Sequence, residues 1–182
     1  DWARFTRINW APDNSGFFYS RMPEPVRGAA GAAINNHAVY FHKLGTPQAD
    51  DRLIYSAPDR PGLLHVADRA EGGRYLAISS TPGTNENALT VVDLASGEWK
   101  PQTIVPHMDA EWSAIGNDGS KLILVTTDGA ERRRVVSLDL TEPDPHVVEI
   151  VAEDADNAVL NDAALMGDGL FIAYLVDAKT EI

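Results

Sequence analysis

The chain has 182 residues, 44% of them apolar, a formal net charge of −12 and no cysteine. That is enough apolar material for one core of ordinary size, and the missing cysteines exclude disulfides, zinc–thiolate sites and thiol nucleophiles within the chain. The acidity argues against a phosphate-binding surface, and no apolar run approaches the about 18 residues that span a bilayer. Neither nucleic acid nor a membrane is therefore an expected partner. The start, Asp-Trp-Ala-Arg, lacks a basic stretch leading into an apolar one, so no signal peptide is expected here. A soluble protein of either cytoplasm or periplasm fits these totals.

In chain order, the apolar residues come in short runs rich in Val, Ile, Leu, Tyr and Phe. Gly, Pro, Asn and Asp separate them, which is the pattern of antiparallel strands. Strands are expected at 7–10, 17–21, 38–44 and 51–55, then at 64–68, 75–80, 88–94 and 100–104. A third set falls at 110–115, 121–126, 133–140 and 146–151, and a last pair at 159–166 and 170–176. The segment "MPEPVRGAAGAAINN" at 22–36 has little to bury and reads as a mobile loop between the second and third strands.

The sets of four repeat. The turn between first and second strands recurs as "PDNSGFFY", "AEGGRYLAI", "GNDGSKLIL" and "MGDGLFIAY", with glycines at Gly16, Gly73, Gly119 and Gly169; Asp or Asn followed by Gly permits the positive φ of a tight turn. Leu44, Leu94 and Leu140 recur in the same way after the third strands. A four-strand unit with a period of roughly 45–50 residues is the mark of a β-propeller blade. The expected fold is all-β: a partial propeller of about three and a half antiparallel blades, in units near 5–57, 62–106, 108–152 and 157–182. The last unit stops after its second strand, at "VDAKTEI", so the chain reads as part of a longer protein.

The motifs offer little chemistry. His37, His42, His65, His107 and His146 fit no metal-ligand spacing, and no Gly-x-Ser-x-Gly elbow or Walker loop is present. No metal, cofactor or catalytic residue is expected within the chain. Ser79 and Ser80 have no neighbouring base in sequence. Asp154 and Asp156 start like a calcium loop, but Ala158 and Val159 break the pattern, leaving a solvated turn. Arg132, Arg133 and Arg134 read as a solvated strand end. In "VYFHKLGTPQADDRLIY", Gly45 and Pro47 make the turn, and the histidine and acids are expected to hold that corner together.

Three stretches resemble the propeller of prolyl oligopeptidase: "INWAPDNSGFFYSRMPEP", "HAVYFHKLGTPQADDRLIYSAPDRP" and "GGRYLAISSTPGTNE". The shared positions are Trp10, Asp13, Gly16, Phe17, Phe18 and Tyr19, then His42, Leu44, Gly45, Thr46, Gln48 and Asp51. The likeness fades after about Met108. It implies a seven-bladed propeller joined to an α/β-hydrolase domain that carries a Ser–Asp–His triad and lies outside this chain. The implied enzyme is a serine endopeptidase that cleaves short peptides after proline, with the propeller restricting access. The resemblance also implies substrate-binding residues. Phe5 matches an aromatic of the subsite for the third residue before the cut. Leu64 stands where the family often has methionine, and Thr84 where mammalian members have cysteine. Thr81 replaces an arginine near the substrate. The alternatives are an oligopeptidase B propeller, for cleavage after basic residues, and a non-enzymatic binding scaffold. The scaffold reading leaves the Leu-Gly-Thr stretch unexplained.

Overall fold

The computed structural model describes residues 2–24, 35–167 and 169–182. Most of the 22–36 segment thus lies outside the described residues. The first sheet has β1 (Asn9–Trp10), β2 (Gly16–Arg21), β3 (Ala38–Lys43) and β4 (Arg52–Tyr55). The second has β5 (Leu64–Arg69), β6 (Tyr75–Thr81), β7 (Ala88–Asp93) and β8 (Pro101–Val105). The third has β9 (Trp112–Asp118), β10 (Lys121–Thr126), β11 (Arg134–Asp139) and β12 (Val148–Val151). In each, neighbours in sequence are neighbours in the sheet, all antiparallel. The fourth holds β13 (Val159–Met166), β14 (Gly169–Val176) and β15 (Lys179–Glu181).

Every expected strand is present. β15 is an addition: it pairs Tyr174 with Glu181 and Val176 with Lys179 across a two-residue turn. Asp177 and Ala178 both have positive φ there, +46° and +61°. Asp is common at the first place of such a turn but Gly is usual at the second, so Ala178 hides the third strand.

Burial explains why the middle strands read as unbroken apolar runs. β6 and β7 are buried on both faces, because each blade packs between two neighbours, whereas β4, β8 and β12 are mostly exposed. The core is correspondingly divided into seams. Phe18, Val39, Leu76 and Val92 join the first two blades. Leu89, Trp112, Leu122 and Val136 join the second and third, and Val125, Val135 and Leu160 join the third and fourth. A register shift recurs between third and fourth strands, at Val39/Tyr40, Leu89/Thr90 and Val135/Val136. Bulges of this kind increase the local twist of a blade.

The turn glycines behave in two ways. Gly73 and Gly119 take the expected positive φ, +72° and +56°. In the first and fourth turns, however, the positive φ belongs to Asn14 and Gly167, not to Gly16 and Gly169. Asn14 can hold it because the Asp13 carboxylate accepts the Ser15 N–H at 3.0 Å and its hydroxyl at 2.7 Å, closing an Asx turn. Gly16 is needed for a different reason: a Cβ there would lie 2.1 Å from the His42 carbonyl oxygen and 2.6 Å from the Phe41 ring.

Candidate functional site

Residues 2–8 run beside the end of β2. The Trp2 carbonyl accepts the Met22 N–H at 3.1 Å, and the Thr6 hydroxyl oxygen accepts the Ser20 N–H at 2.7 Å. Between these contacts Phe5 takes φ +51° and is 45% exposed, with the Arg4 guanidinium 5.1 Å from its ring centroid. A left-handed conformation costs an L residue about 1–2 kcal/mol, so the surrounding bonds must hold it.

Leu64 is the half-buried first residue of β5, paired in register with Thr81. Thr84 lies exposed in the following loop, where its carbonyl accepts the Thr81 hydroxyl at 2.8 Å. Thr81 therefore ties Leu64 and Thr84 to one end of the second blade. Phe5 reaches the same blade through His37. A carbonyl can only accept, so His37 Nε2 carries a proton and donates to Arg4 O at 2.8 Å. His37 Nδ1 accepts the His65 backbone N–H, also at 2.8 Å. The imidazole is thereby fixed as one neutral tautomer. Ser20 adds a third link by donating its hydroxyl to His65 O at 2.7 Å.

His65 Nδ1 lies 2.8 Å from Ser80 Oγ. Sequence neighbours gave no base for Ser80, yet the sheet supplies one across β5 and β6. The pair is unsuited to nucleophilic attack: Ser80 is 0% exposed and His65 1%. Burial pushes the His65 imidazole down to about 4, and His37 and Arg60 nearby act in the same direction. A general base works best with a value near the working pH.

His42 and Asp51 hold the corner of the first blade as expected, and Tyr19 and Gln48 join them. The Asp51 side chain is fully buried and its Oδ1 lies 2.7 Å from His42 Nδ1. Its Oδ2 accepts the Tyr19 hydroxyl at 2.5 Å, and Gln48 donates to the same hydroxyl at 3.0 Å. Burial, with Asp51 beside it, holds the Tyr19 phenol above its usual range. Asp154 caps its turn, accepting the N–H groups of Asp156 and Ala158 at 2.8 and 3.0 Å.

The arginine triplet is not a solvated strand end. Arg133 meets Glu111 at 2.9 Å, Arg134 bridges Asp128 and Glu149 at 3.3 and 3.1 Å, and Arg132 donates to Asp154 O at 2.8 Å. Partial burial, with partners supplied by loop residues Glu111, Asp128 and Asp154 and by Glu149 of β12, makes these structural contacts. A cavity of about 230 Å³ between the second and third blades includes Asp68, Asn87, Glu111 and Trp112. Its carboxylates are committed to Arg7 and Arg133. No group of His, Cys, Asp or Glu among the described residues is arranged to hold a metal ion.

Four antiparallel sheets in chain order, sharing seams of core, define a β-propeller. The chain belongs to the family of the prolyl oligopeptidase N-terminal β-propeller domain, whose model matches residues 1–182. A prolyl endopeptidase of Elizabethkingia miricola is 32% identical over 99% of this chain and 25% of its own. A solved structure of prolyl oligopeptidase B from Galerina marginata, bound to a 25mer macrocyclization substrate, superposes with a TM-score of 0.90. It is 26% identical, over 99% of this chain and 26% of that one. Oligopeptidase B from Leishmania major shares the fold at a TM-score of 0.74 and 19% identity, over 96% of this chain and 23% of that one. The chain spans about a quarter of the length of the curated relatives it matches. No helix among the described residues is long and apolar enough to cross a membrane.

Proposed function

We propose that this chain is part of the propeller of a serine endopeptidase that cleaves short peptides after proline. The observation that carries the reading is the family match along the entire chain. The nucleophile and base come from an α/β-hydrolase domain elsewhere in the longer protein, which is this propeller's partner. The propeller restricts entry and lends part of the pocket wall. Blade units near 5–57, 62–106, 108–152 and 157–182 belong to the same reading. Phe5, Leu64 and Thr84 line the subsite for the third residue before the cut. Three features support this: Phe5 is exposed yet held, Leu64 is half-buried, and Thr81 joins Leu64 to Thr84.

In the longer protein, Phe5→Ala should lower kcat/KM roughly tenfold for a proline peptide long enough to fill that subsite. For a dipeptide substrate that stops short of it, the change should stay within about twofold. Equal losses on both substrates would make Phe5 a packing residue and remove it from the subsite.

A further inference from the structure

His37 opens one of the stretches that resemble the family but is not among the shared positions, and its place in the structure is unusual. It is 1% exposed, directly before β3, and its two ring nitrogens bond to two different parts of the chain. Nε2 donates to the carbonyl of Arg4, which precedes Phe5. Nδ1 accepts the N–H of His65, which follows Leu64. One rigid ring therefore spans the backbone beside both apolar residues of the proposed subsite. It does so where φ +51° at Phe5 would otherwise relax, and where no regular strand pairing holds residues 2–8. His65 is fixed at its other side as well, through its carbonyl and the Ser20 hydroxyl.

We propose that His37 is a positioning residue that sets the separation of Phe5 from Leu64, and with it the binding of peptides that extend to the third residue before the cut. This rests on the subsite reading above. His37 touches no substrate; it acts through the backbone of Arg4 and His65. A flexible polar side chain could satisfy both partners, whereas one that reaches only one of them would leave Phe5 free to shift.

The test uses the longer protein and two variants. His37→Asn keeps an acceptor for His65 but is too short to reach Arg4. His37→Gln has an oxygen and a nitrogen that can serve both. His37→Asn should lose roughly fivefold in kcat/KM on the long proline peptide, mainly through KM, as one hydrogen bond is removed. It should stay within about twofold on the dipeptide substrate, and His37→Gln should stay within about twofold on both. The proposal is overturned if His37→Asn matches the parent on the long peptide. It is equally overturned if both substrates suffer alike, or if His37→Gln falls with His37→Asn. Should His37→Asn not fold, His37→Ser takes its place; failure of both to fold would make His37 a folding residue and end the proposal. Phe5→Ala, run in parallel, separates the two ideas. If it discriminates between the substrates and His37→Asn does not, only the positioning role fails. If Phe5→Ala does not discriminate, the subsite reading fails first.

Discussion

Replacing Gly16 with valine should destabilise the first blade by about 4 kcal/mol or more, enough to abolish its folding in a protein of ordinary stability. The reason is steric, since the φ of Gly16 is not positive. Any Cβ meets the His42 carbonyl oxygen at 2.1 Å, and that oxygen belongs to β3, paired with β2 along its length. The second obstacle is the Phe41 ring, which packs on Phe18 and Trp99 with centroids 5.0 and 4.8 Å away. Neither neighbour can move without opening the seam to the second blade. Gly45 is the control: it has φ +81° and nothing within 4 Å of a Cβ, so Gly45→Ala should cost only about 1 kcal/mol of backbone strain. Urea unfolding followed by tryptophan fluorescence checks both. Equal losses at Gly16 and Gly45 would refute the steric account.

The second large effect is on acid stability. His65 titrates near 4 when folded, against an ordinary 6.5. As pH falls, the unfolded chain therefore takes up the proton first, and folding opposes that uptake. The stability in question is full above pH 6.5 and is lost as pH falls towards 4, by about 3 kcal/mol in all. His37, lowered in the same direction by burial, adds to the loss. Protonating His37 at Nδ1 would also remove the acceptor for the His65 N–H. Carboxylates contribute their own acid sensitivity, so the measurement is the difference between the parent and His65→Gln. Denaturation midpoints should converge at pH 4 and separate at pH 7 in favour of the parent. Parallel profiles would show that His65 titrates normally in the folded protein.

The strands were legible because each middle strand is apolar on both faces and each turn carries Gly, Asn or Asp. β15 was not legible, because its turn pairs Asp177 with Ala178 where a glycine usually follows the Asp, and the short polar strand after it has no apolar pattern. The turn logic held for Gly73 and Gly119 and failed for Gly16, where close approach of two backbones, invisible in sequence, requires glycine. The corner role of His42 and Asp51 was expected because they flank the turn at Gly45 and Pro47. Tyr19, their third partner, lies on another strand 32 residues from Asp51 and could be placed only by pairing β2 with β3. The same limit hid the contacts of His37, 33 residues from Arg4 and 28 from His65. It also hid the partners of Arg132, Arg133 and Arg134, which turn an expected solvated strand end into structural contacts. Phe5, Leu64 and Thr84 were reached by resemblance alone; nothing in their local sequence marks them.

The central claim is that this propeller serves a peptidase that cuts after proline. Its most direct measurement is mass-spectrometric mapping of products from a short peptide containing internal proline, arginine and lysine. The longer protein and the 182-residue chain are each incubated with it. The longer protein should cut after proline and leave the basic residues intact, while the 182-residue chain should cut nothing. Cleavage after arginine or lysine, or any cleavage by the 182-residue chain, would contradict the account.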